Sequence, residues 1–363
     1  MDTREQQVQD TKRPDIQTRR EPLTAEHLAE GFGPLSDLSR DAIRAFCAAL
    51  AGDDQPGLQA ALARWRQLVS GACGHDVEQP SPASDALAEH YGLRADDLQP
   101  AEILFALHTY YALLVKLLVW QILGSAHGQS TPAGRLSRVP GGSRLRQEVR
   151  KVEAGGFLQA LNVGGSFQED LFAWYLDAWD ESIEKAVRRL ARQLGQYEGT
   201  AVCDDPAGSR DLFKRLYEGL FPSPLRHLLG EYYTPDWLAG HVLDEVGYQG
   251  QPDARLLDPA CGSGTFLLLA IRRIRARHEA SGPKRDVRPG ELLRTILTSV
   301  VGFDLNPLAV LSARANYLIA IGDLLRDVQG VEIPIFLRDS ILTPAEDAGP
   351  AGGPFDYVVG NPP

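Results

Sequence analysis

The fold is decided by the stretch RLLDPACGSGTFLLLAIRRIRAR, from Arg255 to Arg277. A short apolar run, Arg255–Leu257, leads into a glycine-rich turn, and an apolar segment of helix length follows. Because glycine has no Cβ, such a turn lets a ligand approach the backbone, where the helix N-terminus offers free N–H groups. The pattern predicts the first unit of an α/β domain. Asp258 then lies at the carboxyl end of the strand, where open sheets of this kind bind ligands.

The turn does not have the spacing of a phosphate-binding loop. Gly262 and Gly264 are followed by Thr-Phe-Leu, which fits neither G-x-G-x-x-G nor G-x-x-x-x-G-K-[ST]. An acidic residue beside a glycine turn instead suits a ligand with an ammonium group, so we expect Asp258 to bind one. The alternative, which G-S-G alone leaves open, is a tight turn without a ligand.

Three further apolar runs alternate with helix-length segments, which predicts βαβ units and a parallel sheet. These runs are Ser299–Phe303, Val331–Leu337 and Phe355–Val359. Asp304 follows the first run, and a carboxylate there can accept both hydroxyls of a ribose. Asp339 follows the second, where a carboxylate can accept the exocyclic amine of an adenine. A single Asp at such a place is more often a helix cap or turn residue, but three at successive strand ends indicate one crevice.

The last run ends in the turn Gly360-Asn361-Pro362-Pro363. Two prolines with fixed φ make this turn stiff, so the Asn361 side-chain oxygen and the Pro362 carbonyl are held as two acceptors. Both can take hydrogen bonds from one planar –NH2 group, which draws its nitrogen toward a tetrahedral, more nucleophilic state. Alone the turn is merely a loop, but after the upstream motifs it indicates a site that modifies an amine.

The chain ahead of residue 222 has a different pattern. Residues 1–22 are polar and are predicted to be disordered. Residues 23–221 carry apolar side chains at helical spacing, which predicts a helical N-terminal domain. Within it, residues 125–147 are rich in Gly, Ser and Pro and hold four arginines and no acid. This segment is predicted to be a flexible loop, either solvated or in contact with a phosphate backbone.

One segment tests whether the protein is soluble. Ile103–Gly124 is long enough to span a bilayer, but it holds His108 and Lys116 near its middle. A lysine at the centre of a membrane helix costs about 2.5–3.5 kcal/mol. We therefore expect a buried helix and no membrane. A cytoplasmic location is expected because the polar N-terminus is not a signal peptide.

Composition limits the remaining choices. The chain has 363 residues, 44% of them hydrophobic and 23% charged, as in a globular protein of two domains. Its formal charge of -11 excludes a surface coated with basic residues, so any contact with nucleic acid must come from a local patch. The four cysteines form no C-x-x-C and the histidines show no metal-binding spacing, so no metal site is expected.

Together these motifs resemble the S-adenosylmethionine-dependent DNA methyltransferases that act on adenine N6, in particular large restriction and phage-defence enzymes of type IIG, BREX and DISARM. The motifs stand in the order of that class: GEYYTPDWLA at 230–239, DPACGSGTF at 258–266, FDLNP at 303–307 and GNPP at 360–363. The resemblance is strong over residues 222–363. It implies a Rossmann-like class I methyltransferase sheet, of which about four parallel strands are present in the order 3-2-1-4, incomplete at the C-terminus.

The resemblance also implies a role for each matching residue. The residues that would hold S-adenosylmethionine are Tyr233, Thr234, Pro235, Asp258, Ala260, Gly262, Gly264, Asp304 and Asp339. Of these, Tyr233–Pro235 would lie at the methionine end of the cofactor, Asp304 at the ribose and Asp339 at the adenine. The residues that would grip the target amine are Asn361, Pro362 and Pro363. The implied partner is double-stranded DNA whose target adenine leaves the duplex, with other subunits of a defence system as further partners.

Several alternatives stay open. An N-cap at Thr234 with Pro235 as first helical residue also explains that pair. A methyltransferase for protein glutamine or RNA would use the same Asn-Pro-Pro turn, and a non-catalytic interaction module is a third interpretation. The aromatic that follows this turn in the family and the remaining strands are not in the sequence, so we expect a truncated, inactive fragment. The long interval between Asp258 and Asp304 predicts an added helix or loop over residues 280–294.

Overall fold

The computed structural model describes residues 20–52, 56–74, 77–79, 82–93, 99–164, 167, 171–200, 202, 206–229, 233–280, 289–343 and 352–362. Over these ranges the chain is mostly helical and contains a small parallel sheet, which confirms the coarse fold expected from the sequence. Residues 1–22 were predicted to be disordered, and residues 1–19 of this range lie outside the described residues. At its end the prediction is wrong, because Glu21–Pro22 (β1) pairs in parallel with Tyr197–Glu198 (β2).

Helices build the part of the chain before residue 222. They are α1 (Ala25–Phe32), α2 (Asp37–Gly52), α3 (Pro56–Cys73), α4 (Pro82–Tyr91), α5 (Pro100–Ala126), α6 (Ser143–Glu153), α7 (Gly156–Gln159), α8 (Glu181–Leu194) and α9 (Pro206–Leu220). Helix α5 is apolar on all sides, and a helix of that kind must be buried. Of its most apolar window, 94% is inside the protein. Among the described residues it is the one helix long and apolar enough to cross a membrane, and here it is a core helix.

The lysine in the middle of α5 is accommodated by a buried acid. Lys116 Nζ donates to Glu153 Oε2 at 2.5 Å, and the Tyr175 hydroxyl donates to Glu153 Oε1 at 2.5 Å. All three side chains are at most 3% exposed. Burial lowers the pKa of Lys116, and the charge of Glu153 opposes that shift. The pair joins α5 to α6, so it helps to fix the packing of the helical region.

The flexible loop predicted for residues 125–147 is wrong over most of that range. Ala133–Arg138 form a 3₁₀ helix, and α6 already begins at Ser143. The physical reason is that apolar side chains between the arginines anchor both elements, since Leu136 and Leu145 are buried. The high content of Gly, Ser and Pro favours a loop, and the two buried leucines outweigh it.

The sheet consists of β3 (Leu256–Asp258), β4 (Val300–Asp304), β5 (Ile335–Leu337) and β6 (Tyr357–Val358). All pairs are parallel, and the strand order is β5-β4-β3-β6. Strands β3 and β4 have the length of their expected runs but are shifted by one residue, whereas β5 and β6 lie within their runs and are shorter. In the run Val331–Leu337, Pro334 has no N–H to donate to a neighbouring strand, and only the three residues after it form a strand. All four carboxyl ends therefore meet at one edge.

The helices after residue 222 belong to the same core as the N-terminal helices. They are α10 (Ser223–Leu228), α11 (Asp236–Glu245), α12 (Thr265–Ala280), α13 (Pro289–Ser299) and α14 (Pro307–Ala320). Helix α14 packs against α5, where the Tyr111 hydroxyl lies 3.1 Å from Ser312 Oγ. Along the chain, helix α13 comes between β3 and β4, in the interval where an added helix or loop was expected over residues 280–294. The hydrophobic core is continuous through Phe221 and Leu225, so a domain boundary near residue 222 stays a prediction.

Candidate functional site

The first strand of the sheet ends in a buried acid. The Asp258 side chain is 1% exposed, and its Oδ1 accepts the Ala260 N–H at 3.2 Å. Burial raises the pKa of Asp258 to about 7, the Ala260 N–H opposes this rise, and the negative charge of Asp304 adds to it. No Lys or Arg of the described residues pairs with this carboxylate. Asp258 therefore lacks a counter-charge of its own.

The glycine turn after Asp258 needs its glycines for conformational reasons. Gly262 has φ +54° and Gly264 has φ +93°, a region that other residues rarely adopt. A Cβ on Gly262 would meet nothing within 4 Å, so open space lies beside the turn there. The turn is held from below by Asn316, whose Nδ2 donates to the Ser263 carbonyl at 3.0 Å. The result is a fixed backbone loop with room beside it.

The second acid ties the two strands together. Asp304 Oδ2 accepts the Gly262 N–H at 2.8 Å, and Oδ1 accepts the Asn306 N–H at 2.8 Å. Burial raises the pKa of Asp304, and these backbone N–H groups oppose the rise. A carboxylate has about four lone-pair sites, so Asp304 can both hold the glycine turn and accept from a ligand hydroxyl.

The turn after the fourth strand lies against Asp258. A Cβ on Gly360 would be 2.7 Å from Asp258 Oδ1, so only glycine allows this approach. Asn361 is the next residue, and it and Pro362 are both exposed. Pro363 lies outside the described residues. The structure therefore brings the start of the Asn-Pro-Pro turn to the acid that ends the first strand.

Asp339 is less closely tied to the crevice. Its Oδ1 accepts the N–H groups of Ile341 and Leu342, each at 2.8 Å, as in a turn-forming Asp. The preceding residue does reach the crevice, since the Arg338 N–H donates to the Asp304 carbonyl at 2.8 Å. Asp339 Oδ2 accepts no hydrogen bond from the described residues, so that oxygen is available to a ligand.

Tyr233, Thr234 and Pro235 lie on a separate element. Helix α11 begins at Asp236 with Pro235 as its N-cap residue, so the interpretation of Thr234 as N-cap and Pro235 as first helical residue is wrong. The Pro235 carbonyl accepts two backbone N–H groups from the first turn of α11. The Thr234 hydroxyl makes no hydrogen bond within the described part of the chain. The Tyr233 ring packs at 6.0 Å from that of Tyr217, in the helical region.

Two residues of the site were missed in the sequence. Asn316 is 3% exposed and its Oδ1 has no hydrogen-bond partner in the described structure. Arg338 places its guanidinium 4.9 Å from the centre of the Phe303 ring. The signal in the sequence was Asn316 itself, a polar residue within an otherwise apolar helix. A buried polar group of this kind needs a hydrogen-bond partner. Arg338 had no such signal.

A comparison with known families covers the C-terminal part of the chain. Residues 208–363 match the N-6 DNA Methylase family. The match includes all four parallel strands and every residue of the crevice. It confirms the resemblance to adenine-N6 DNA methyltransferases of restriction and phage-defence type.

Individual relatives agree with this class. The chain is 37% identical over 95 residues to the adenine-specific methyltransferase PglX of Streptomyces coelicolor, which is 24% of this chain and 7% of PglX. It is 30% identical over 157 residues to the type I restriction enzyme MjaIX methylase subunit of Methanocaldococcus jannaschii, 42% of this chain and 23% of that subunit. It is 30% identical over 140 residues to the type II methyltransferase M.PaeR7I of Pseudomonas aeruginosa, which is 37% of this chain and 23% of that enzyme.

The chain thus spans less than a quarter of the length of each of these relatives. No solved structure gives a significant match.

Proposed function

We propose that this chain carries the cofactor and target-amine site of a DNA methyltransferase that transfers a methyl group from S-adenosylmethionine to adenine N6. The proposal includes a role in restriction-modification or phage defence and a Rossmann-like class I arrangement of the sheet. The observation that carries it is the junction of the glycine turn, Asp304 and the Asn-Pro-Pro turn. Asp304 bonds Gly262 at 2.8 Å, and Gly360 closes on Asp258. These contacts support the proposal because they bring the glycine turn and the Asn-Pro-Pro turn to the same pair of acids.

The crevice fits S-adenosylmethionine in the hydrogen-bond acceptors that it offers. Asp258 is a buried carboxylate without a counter-cation, and an ammonium group would supply one, lowering its pKa again. The open space beside Gly262 leaves room for a ligand along the backbone. Asp304 keeps acceptor capacity for ribose hydroxyls and Asp339 Oδ2 for an adenine amine. Thr234, with its free hydroxyl, and Tyr233 and Pro235 are proposed at the methionine end.

The chain's own residues perform the positioning that the transfer needs. Bound S-adenosylmethionine supplies an electrophilic methyl group on its sulfonium. Asn361 Oδ1 and the Pro362 carbonyl accept hydrogen bonds from the two N–H groups of the target amine, which aims the nitrogen lone pair toward the end of β3. Both residues are exposed, so the proton that the amine loses can leave to water. No side chain has to act as a formal base.

Duplex DNA is the proposed substrate, and its target adenine must leave the stack to reach Asn361. We further propose a cytoplasmic protein that works with other subunits of a defence system. The buried state of α5 supports a location away from membranes.

The test is incubation of the chain with labelled S-adenosylmethionine and mixed-sequence duplex DNA, followed by nucleoside analysis and calorimetric measurement of cofactor binding. If methyl transfer occurs, we expect N6-methyladenine as its product, and transfer at a rate typical of enzymes would refute the expectation of an inactive fragment. Asn361→Ala is expected to abolish methyl transfer while leaving cofactor affinity unchanged, because the amide grips the amine and not the cofactor. Absence of cofactor binding would refute the proposal. Methylation of RNA or protein glutamine in place of DNA would refute the assigned substrate.

A further inference from the structure

A second surface of the chain has a charge opposite to that of the whole. The stretches 133–153 and 181–195 carry ten Lys and Arg residues against four Asp and Glu, in a chain of formal charge -11. One of the four acids, Glu153, is buried on Lys116 and does not reach the surface. Asp41 and Asp177, from outside these stretches, pair with three of the ten cations, so the local positive charge rests on the cations that stay unpaired.

The backbone that carries these charges is held in place. The 3₁₀ helix Ala133–Arg138 lies along α8 closely enough that a Cβ on Gly134 would be 2.8 Å from the Gly195 Cα. Arg188 Nη1 donates to the Ser137 carbonyl at 3.1 Å. Glu184 Oε2 accepts the Gly142 N–H at 2.7 Å, and this backbone hydrogen bond lowers the pKa of Glu184. The first turn of α6 is thereby fixed to the N-terminal end of α8.

Five cations on this framework have no acidic partner. We call them the basic face: Arg135, Arg138, Arg144, Lys185 and Arg192. All are exposed, and none forms an ion pair within the described residues. Their neighbours Arg146 and Arg150 share a single carboxylate, that of Asp177. A groove of about 330 Å³ follows α8 between Glu181 and Arg192.

We infer that the basic face binds the phosphate backbone of duplex DNA, independently of the crevice. Unpaired arginines and lysines on a rigid support are what sequence-independent phosphate contact requires. The choice of DNA among polyanions rests on the proposed function. The contact would hold the substrate on the helical region and add affinity without adding sequence preference.

The expected size of the effect follows from counterion release. Each phosphate contact with B-DNA contributes about 0.9 to the slope of log affinity against log salt concentration. Removing two cations of the basic face should lower that slope by about 1.8. At about 0.1 M salt the same change corresponds to a loss of affinity on the order of 60-fold, and the loss should shrink as salt rises.

The experiment measures fluorescence anisotropy of a labelled mixed-sequence duplex over a salt series with the whole chain. The variant is Arg138→Gln with Arg144→Gln. The control is Arg64→Gln with Arg294→Gln, which removes the same charge from exposed arginines on α3 and α13. Circular dichroism checks that both variants fold. We expect the lower slope and weaker binding only for the first pair.

Two outcomes would overturn the inference. Equal slopes for the two double variants would show that the basic face makes no special contact. Competition by poly-L-glutamate as effective as that by DNA at equal charge would indicate an acidic protein partner. Because the assay needs no S-adenosylmethionine, its failure and a failure of methyl transfer are separate results.

Discussion

Replacement of Asp258 by Asn is expected to stabilise the protein while it weakens the site. The substituted amide would keep an oxygen that accepts the Ala260 N–H, which is now accepted at 3.2 Å. It would carry no charge into a position that is 1% exposed. The substitution therefore removes a buried charge without opening a cavity.

The size of the gain follows from the pKa of Asp258. Burial raises that pKa from its ordinary 3.8 to about 7. One pKa unit is worth about 1.36 kcal/mol, so the charged form costs about 4 kcal/mol of folding free energy. The folded protein holds a proton that the unfolded chain releases between about pH 4 and pH 7. The free energy of unfolding of the unsubstituted chain therefore falls as pH rises through that window, and Asp258→Asn should not share this fall.

The assay is urea unfolding at about pH 5 and at about pH 8.5. We expect the advantage of Asp258→Asn to grow toward about 4 kcal/mol at the higher pH. Asp339→Asn is the matched control, because that half-buried carboxylate bonds two N–H groups of its own turn. It should give no comparable gain. A variant Asp258→Asn no more stable than the unsubstituted chain at the higher pH would refute the reasoning.

The same substitution should weaken S-adenosylmethionine binding, because a hydrogen bond to a charged group contributes about 1.5–3 kcal/mol. That range corresponds to about tenfold to a hundredfold in affinity. In the unsubstituted chain, affinity should rise as pH rises through about 7, since the ammonium needs the ionised carboxylate. Calorimetry over that pH range measures both effects, and a pH-independent affinity would contradict the assignment of Asp258.

Two further substitutions test particular contacts. Lys116→Met leaves Glu153 buried without its cationic partner, so we expect a loss of about 3–5 kcal/mol in urea unfolding. The double variant with Glu153→Gln should recover part of it, and no recovery would contradict the pairing. Gly360→Ala puts a Cβ 2.7 Å from Asp258 Oδ1, so we expect lower cofactor affinity in a chain that still folds by circular dichroism. Gly240→Ala in α11, whose Cβ would meet nothing within 4 Å, is the control, and equal effects of the two would refute the close approach.

The parallel strands and their acidic ends could be predicted because their signals are local. Asp258 and Asp304 directly follow apolar runs, and a parallel sheet brings such ends together whatever the helices between them do. The contact between Asp304 and Gly262 was not predictable at that level, since it joins residues 42 apart through the packing of two strands. The lengths of β5 and β6 were overestimated because an apolar run such as Val331–Leu337 includes residues that pack without pairing.

The errors in the N-terminal region and at the start of α11 have a common cause. Residues 125–147 were interpreted by composition, although Leu136 and Leu145 were present as anchors for helical turns. At Thr234 and Pro235, residue preferences for caps were applied one position too early, and the carbonyl of Pro235 holds the first turn of α11. In both places the contacts, and not the residue types, decide between the local alternatives.

The buried Asp258 and the half-buried Asp304 carry an energetic cost that a bound ligand would remove. Asp258 and Asp304 both have raised pKa values, and the charge of Asp304 raises that of Asp258 further. A protein selected for stability alone would place an uncharged residue or a cation there, because a buried unpaired charge opposes folding. The described residues supply Asp258 with one N–H donor and no cation. A cationic ligand would supply the missing charge, and the free energy lost in folding would return as affinity for that ligand.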